Sequence, residues 1–255
     1  MFIDYFYGLI LAIIQGITEF IPVSSSSHLI IFSELSNFNF RSLEIDVSLH
    51  LGSLIAIILY FRKDLIQITK NKNLVLLFLF GSLPLFIVGF FIYYTGLIDY
   101  LREIKIIAWT TLIFGIVLYF ADKFKIQRNI DKDLTIKNIL LIGLFQVFAL
   151  IPGASRSGIV ITGSRFLNFS RYDAAKISFI LSIPALLGAS VLTLKESFLI
   201  EQTFNINVLL SIFFSYVFSY LTIKYFLIYT KKFSLNIFVV YRILLSLILF
   251  YFIYF

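Results

Sequence analysis

Cysteine is absent from all 255 residues. That lack excludes disulfides, thiolate metal sites and a cysteine nucleophile together. Charge is scarce as well: 14% of residues are charged, against about a quarter in a soluble domain. No Gly/Ser-rich or Pro-rich linker separates two domains. The first apolar stretch has Asp4 near its start, no basic flank and no cleavage-site pattern, so no cleavable signal peptide is expected. What is present is apolar, 60% hydrophobic and 18% aromatic. A polytopic membrane protein follows. The net charge of +7 raises nucleic acid as a partner, but the basic residues cluster in short loops between apolar segments, as membrane orientation requires. No nucleic-acid partner is expected.

Apolar segments fall at about 6–32, 47–61, 74–96, 106–121, 138–167, 175–194, 206–230 and 236–255. A span needs ~20 helical residues, so 47–61 and 106–121 must borrow flanking residues. Two segments are interrupted. In 6–32, Pro22 is followed directly by Ser24–Ser27, and in 138–167, Pro152 and Gly153 precede Ser155. Proline then serine favours a helix that stops, turns and restarts under a serine cap. Half-helices of this length enter the bilayer and return, provided protein covers the irregular backbone. The expected fold is therefore an all-α polytopic membrane protein, with six full transmembrane helices plus two re-entrant helical hairpins in an inverted-topology repeat. The whole chain, 1–255, reads as one membrane domain: repeat 1 at about 1–121, a basic cytoplasmic loop at 122–137, and repeat 2 at about 138–255.

Basic residues sort cleanly on that count. Arg62, Lys63, Lys70, Lys72, Lys123, Lys125, Arg128, Lys132, Lys137, Arg165, Arg171, Lys176, Lys231 and Lys232 share one side, and Arg41, Arg102, Lys105 and Lys195 take the other. The rich side is expected to be cytoplasmic, with both termini outside. Each half holds one hairpin and three spans, so the halves run in opposite orientation. FIPVSS at 20–25 resembles LIPGAS at 150–155, and SLPLFIVG at 82–89 resembles SIPALLGA at 182–189. An inverted repeat brings both hairpin tips to the midplane, facing each other.

The two tips hold the polar residues of interest. A charge at bilayer depth costs ~2.5 kcal/mol or more and is tolerated mainly facing a cavity or a partner. Gln15 and Glu19, four residues apart, share one helix face before Pro22. Ser24, Ser25, Ser26 and His28 follow the break. The second tip supplies Gly153, Ser155, Arg156 and Ser157. Helix N-termini, an arginine and hydroxyls describe an anion site, and phosphate suits it best. Histidine and a carboxylate beside serine add a nucleophile, a base and an orienting group. A metal ion on Glu19 could share the neutralisation of phosphoryl oxygens. Each feature also has a plain structural reading: serine capping, a glutamate bonded to neighbouring helices, an arginine snorkelling to the interface, a satisfied core histidine. Their concentration in two facing breaks favours function. His50 is expected to be structural or substrate-lining, and Lys224 to snorkel.

At these residues the chain resembles the undecaprenyl-diphosphate phosphatase family, the integral membrane type linked to bacitracin resistance. The likeness rests on the run Gln15–His28, QGITEFIPVSSSSH, and on Pro152–Gly158, PGASRSG. It continues through DVSLHLGSLIAIILYFRKDL at 46–65 and SRYDAAKISFILSIPALLGAS at 170–190. The resemblance implies hydrolysis of a polyprenyl diphosphate to the monophosphate and inorganic phosphate, recycling the lipid carrier of cell-wall synthesis. It implies a bacterial plasma (inner) membrane location with the site open to the outer, periplasmic side. Ser25 is then the nucleophile, with His28 as the alternative. Glu19 binds a divalent cation, Mg2+ or Ca2+, or acts as base. Arg156 and Ser155 hold the diphosphate, with Ser157, Gly153, Ser24, Ser26 and Gln15 around them. Some relatives carry Glu at the position of Gln15. An amide cannot act as a base, which shifts acid-base work onto Glu19 and His28. Expected partners are the lipid substrate and membrane lipids, with a homodimer left open. The rival readings are a secondary transporter or flippase of a polyprenyl phosphate, which shares the broken-helix architecture, and an intramembrane serine protease, which has no use for Arg156.

Overall fold

The computed structural model describes residues 2–35, 43–197 and 206–254, and all of its named elements are helices. In chain order they are α1 (Phe2–Thr18), α2 (Ser25–Leu35), α3 (Leu43–Tyr60), α4 (Arg62–Lys70), α5 (Lys72–Thr95), α6 (Leu97–Tyr100), α7 (Ile104–Asp122), α8 (Ile130–Asp133), α9 (Ile136–Val147), α10 (Arg156–Phe166), α11 (Arg171–Ser197), α12 (Ile206–Lys232) and α13 (Asn236–Tyr254), with a 3-10 turn at Phe148–Leu150 after α9. Five of the described helices are long and apolar enough to cross a membrane, or six if Ile45–Tyr60 and Arg62–Lys70, bent by 72°, count as one span. α3 and α7 reach beyond the short apolar runs that mark them, drawing in Leu43–Asp46 and Ile104–Lys105. The chain is a multi-pass membrane protein.

The four prolines act in two ways. Pro22 and Pro152 stand in breaks between helices, whereas Pro84 and Pro184 lie inside α5 and α11. Bundled helices tolerate an internal proline because neighbouring groups satisfy the freed backbone. The likeness of 82–89 to 182–189 also pairs elements that are not equivalent in order. α5 is the second span after its hairpin and α11 the first after the other.

Some helix pairings repeat under exchange of the halves, although the contacts of α10 with α7 and α11 have no counterpart of that extent at α2. α1 packs on α12 as α9 packs on α5, while α3 meets α11 and α7 meets α13. Small residues allow these close approaches, as in membrane bundles generally. A Cβ at Gly52 of α3 would stand 2.5 Å from the Ile212 carbonyl oxygen of α12. Beside it Ser53 bonds Ser219 at 3.0 Å and Ser215 at 3.3 Å. The main apolar cluster, with Phe20, Ile57, Phe61, Ile161, Phe179 and Phe226, joins both halves directly under the first break.

The basic segments assigned to one side meet at one end of the bundle. Lys176 pairs with Asp64 at 2.6 Å, Arg171 grips both oxygens of Asp122 at 2.6 and 2.9 Å, and the Leu235 amide donates to Asp122 at 3.1 Å. Arg165, expected among the basic residues of the cytoplasmic side, is not a surface charge. It is 1% exposed and donates to the carbonyls of Asp122, Phe124 and Phe169. It braces α10 against the connection after α7. Arg41 lies outside the described residues.

Candidate active site

Both breaks are built alike. Between α1 and α2 the chain turns at Glu19–Val23; between the 3-10 turn and α10 it turns at 151–155. The residue before each re-entry is a serine at positive φ, Ser24 at 75° and Ser155 at 68°. Such a backbone costs roughly 1–3 kcal/mol per non-glycine residue, so the surroundings must hold it. Ser24 Oγ bonds Ser27 Oγ at 2.8 Å and Ser26 Oγ at 3.3 Å. Ser155 Oγ accepts from the Gly158 amide at 3.2 Å, capping α10, and bonds Ser157 Oγ at 3.2 Å. The structural equivalents are therefore Ser24 with Ser155, and Ser25 with Arg156. The sequence likeness had set Ser25 against Ser155. The second break carries one more residue between its proline and its cap, which shifts the register by one.

Gly153 supplies the extra turn at φ 90°. A Cβ there would run into the Thr110 hydroxyl and the Ile107 carbonyl of α7. Thr110 Oγ1 uses that closeness to donate to the Pro152 carbonyl at 2.6 Å.

The breaks meet at Glu19, which is 6% exposed. Its Oε2 accepts from Ser25 Oγ at 2.6 Å and from Gln15 Nε2 at 3.0 Å, and its Oε1 accepts from Arg156 Nη2 at 2.7 Å. Ser157 Oγ donates to the Ile21 carbonyl at 2.8 Å, fastening one tip to the other. Ser25 and Arg156 are the first residues of α2 and α10 and both touch Glu19, so two helix N-termini converge here. Their free amides and dipoles favour an anion.

His28 stands apart. Its Nδ1 lies 2.6 Å from the Ser24 carbonyl and its Nε2 2.5 Å from the Tyr241 hydroxyl, and it bonds neither Ser25 nor Glu19. The imidazole that does touch the carboxylate cluster is His50 of α3, whose Nδ1 is 3.1 Å from Gln15 Nε2. Two further residues complete the site. Arg242 of α13 is fully buried, with Nη2 donating to Gly153 O at 2.8 Å, Nη1 to Ala154 O at 3.1 Å and Pro22 O at 3.4 Å, and Nε to Thr111 O at 3.1 Å. One guanidinium thus clips both breaks to α7. Its signal was legible, a lone charge within the apolar run 236–255. Tyr241 gave none, being one of 15 tyrosines.

A divalent cation is tested by the oxygens on hand. Gln15 Oε1 is buried without a hydrogen-bond partner, on the side chain whose amide nitrogen touches Glu19. Among the described residues no group of three or more His, Cys, Asp or Glu gathers. Mg2+ usually needs only one or two carboxylates, completing its shell with water and substrate phosphate. A carboxylate, an orphan amide oxygen and a phosphate-bearing substrate fit that requirement.

Fold and site together define a multi-pass membrane protein with a serine, a carboxylate and an arginine joined at two facing helix breaks. Comparison with known proteins agrees: the family described as bacitracin resistance protein BacA matches residues 8–248, and the chain belongs to it. It is 55% identical over the full length of both chains to a protein of Pelagibacter ubique named undecaprenyl-diphosphatase. A protein of the same name from Alcanivorax borkumensis is 39% identical, over 96% of this chain and 98% of that one. Another from a Ruegeria species is 42% identical over 72% and 74%.

Proposed function

We propose that this chain is a membrane phosphatase that hydrolyses undecaprenyl diphosphate to undecaprenyl phosphate and inorganic phosphate, returning the lipid carrier to cell-wall synthesis. Family membership and full-length likeness to proteins named for that activity support it. One observation carries the chemistry: Ser25 Oγ donates to Glu19 at 2.6 Å while Arg156 holds the other carboxylate oxygen at 2.7 Å. Ser25 attacks the terminal phosphorus as Glu19 takes its proton. The bond from that phosphorus to the bridging oxygen breaks, and the lipid monophosphate leaves. Water then opens the phosphoserine, releasing phosphate and restoring the hydroxyl. Phosphoryl transfer needs chiefly positioning and charge neutralisation, which Arg156 and the two helix N-termini provide. Glu19 and Gln15 Oε1 are the residues to hold a divalent cation, which would neutralise charge on the diphosphate when bound. Both ring nitrogens of His28 are engaged, Nδ1 by the Ser24 carbonyl and Nε2 by the Tyr241 hydroxyl, which favours Ser25 over His28 as the nucleophile.

The site belongs on the outer face of the bacterial plasma membrane. The basic end of the bundle supports a cytoplasmic assignment for the opposite face. A flippase reading needs only an anion cradle and leaves the Ser25–Glu19 bond without a task. Purified protein in detergent, given the lipid diphosphate, should release phosphate. Ser25→Ala and Arg156→Ala should each cut that release by about 10²-fold or more. Near wild-type rates in both would reject the assignment.

A further inference from the structure

The His28–Tyr241 contact lies outside the Ser25, Glu19 and Arg156 chemistry, and its geometry is unusually determined. A carbonyl only accepts, so the 2.6 Å contact with Ser24 O requires a proton on His28 Nδ1. In the neutral ring Nε2 is then an acceptor, and the Tyr241 hydroxyl at 2.5 Å must donate to it. The two rings also stack, 5.7 Å between centroids with 10° between planes. Tyr241 is 42% exposed. Its backbone is nonetheless anchored, because the next residue, Arg242, is fully buried and bonded to the carbonyls of both breaks.

The carbonyl that His28 holds belongs to Ser24, at φ 75°, whose strained turn delivers Ser25 to Glu19. From this chain of contacts we propose that Tyr241 is a positioning residue of the phosphatase: its hydroxyl holds His28 as the Nδ1–H tautomer, and His28 holds the turn that presents Ser25. Tyr241 touches no reacting atom. It acts through His28 alone. This inference rests on the function proposed above, since the turn matters catalytically only if Ser25 is the nucleophile.

Tyr241→Phe keeps the stacked ring and deletes only the hydroxyl. In the purified protein it should lower kcat about tenfold, the worth of one hydrogen bond, and leave KM within about twofold because no substrate contact is lost. The same change made on a His28→Gln background should cost nothing further, since the tyrosine has lost its partner. The chain has two histidines, so 15N-histidine labelling gives a readable spectrum, with the His28 signals assigned by their loss in His28→Gln. In the wild type those signals should show a protonated Nδ1 and a hydrogen-bonded Nε2, and in Tyr241→Phe the Nε2 signal should move toward the free value. An unchanged kcat, losses that multiply in the double variant, or an unmoved Nε2 signal would each overturn the proposal. Full activity in Ser25→Ala would reject the phosphatase reading of Ser25 by itself, and the nitrogen signals would still decide whether Tyr241 holds the tautomer.

Discussion

Glu19 and Arg156 are 137 residues apart in sequence and 2.7 Å apart in space. Each would be costly alone at bilayer depth; together they neutralise one another, and Ser25 and Gln15 both donate to the carboxylate oxygen that Arg156 leaves free. Removing either charge strands the other in a buried site, so Arg156→Lys should fail as a rescue: a point charge does not reproduce the planar fork. Residue types and tips were readable from the sequence, because charge, hydroxyl and proline in an apolar run are conspicuous. The direction of each side chain was not. His28 follows Ser25 by three residues, yet its ring engages the Ser24 carbonyl and the Tyr241 hydroxyl and not Glu19, and no spacing rule reports that. Gln15 invites a sharper test. Its unpartnered oxygen suits a cation, and Gln15→Glu places a second carboxylate there. Chelation should depress phosphate release in the wild type, and Gln15→Glu should regain activity at a lower Mg2+ concentration. Indifference of both proteins to chelator would remove the cation from the site.

At the scale of elements, the hairpins are held by what lies between them more than by their own sequence. α1 and α9 end in turns whose carbonyls have no helical partner, and Arg242 supplies donors to Pro22, Gly153 and Ala154 at once. Buried carbonyls left without donors cost about 1–3 kcal/mol each. Arg242→Met, of similar length and without donors, should therefore lower the melting temperature in detergent by several degrees and reduce turnover as the tips separate. A variant that melts like the wild type would mean water replaces the guanidinium. The spans themselves were visible as apolar runs and the hairpins as interruptions. The bend of 72° between α3 and α4 was not, since no proline or glycine marks it. Nor was the one-residue offset between the two breaks, which depends on Gly153 taking a conformation that its equivalent stretch avoids.

Orientation is a property of the whole molecule, and the absence of cysteine makes it directly measurable. Lys63, Lys125 and Lys232 are exposed and follow three different spans, yet their neighbourhoods meet at one end through Lys176 with Asp64 and through Asp122 with Arg171 and Leu235. Lys105, exposed at the start of α7, belongs to the other end. Each position can be replaced singly by cysteine without a background thiol to remove. In sealed vesicles of known sidedness, an impermeant thiol reagent should label positions 63, 125 and 232 only from the cytoplasmic face, and position 105 only from the opposite face. Two full hairpins and six spans require that pattern. If the second hairpin instead crossed the bilayer as a single span, every later connection would change sides and positions 63 and 232 would no longer label together.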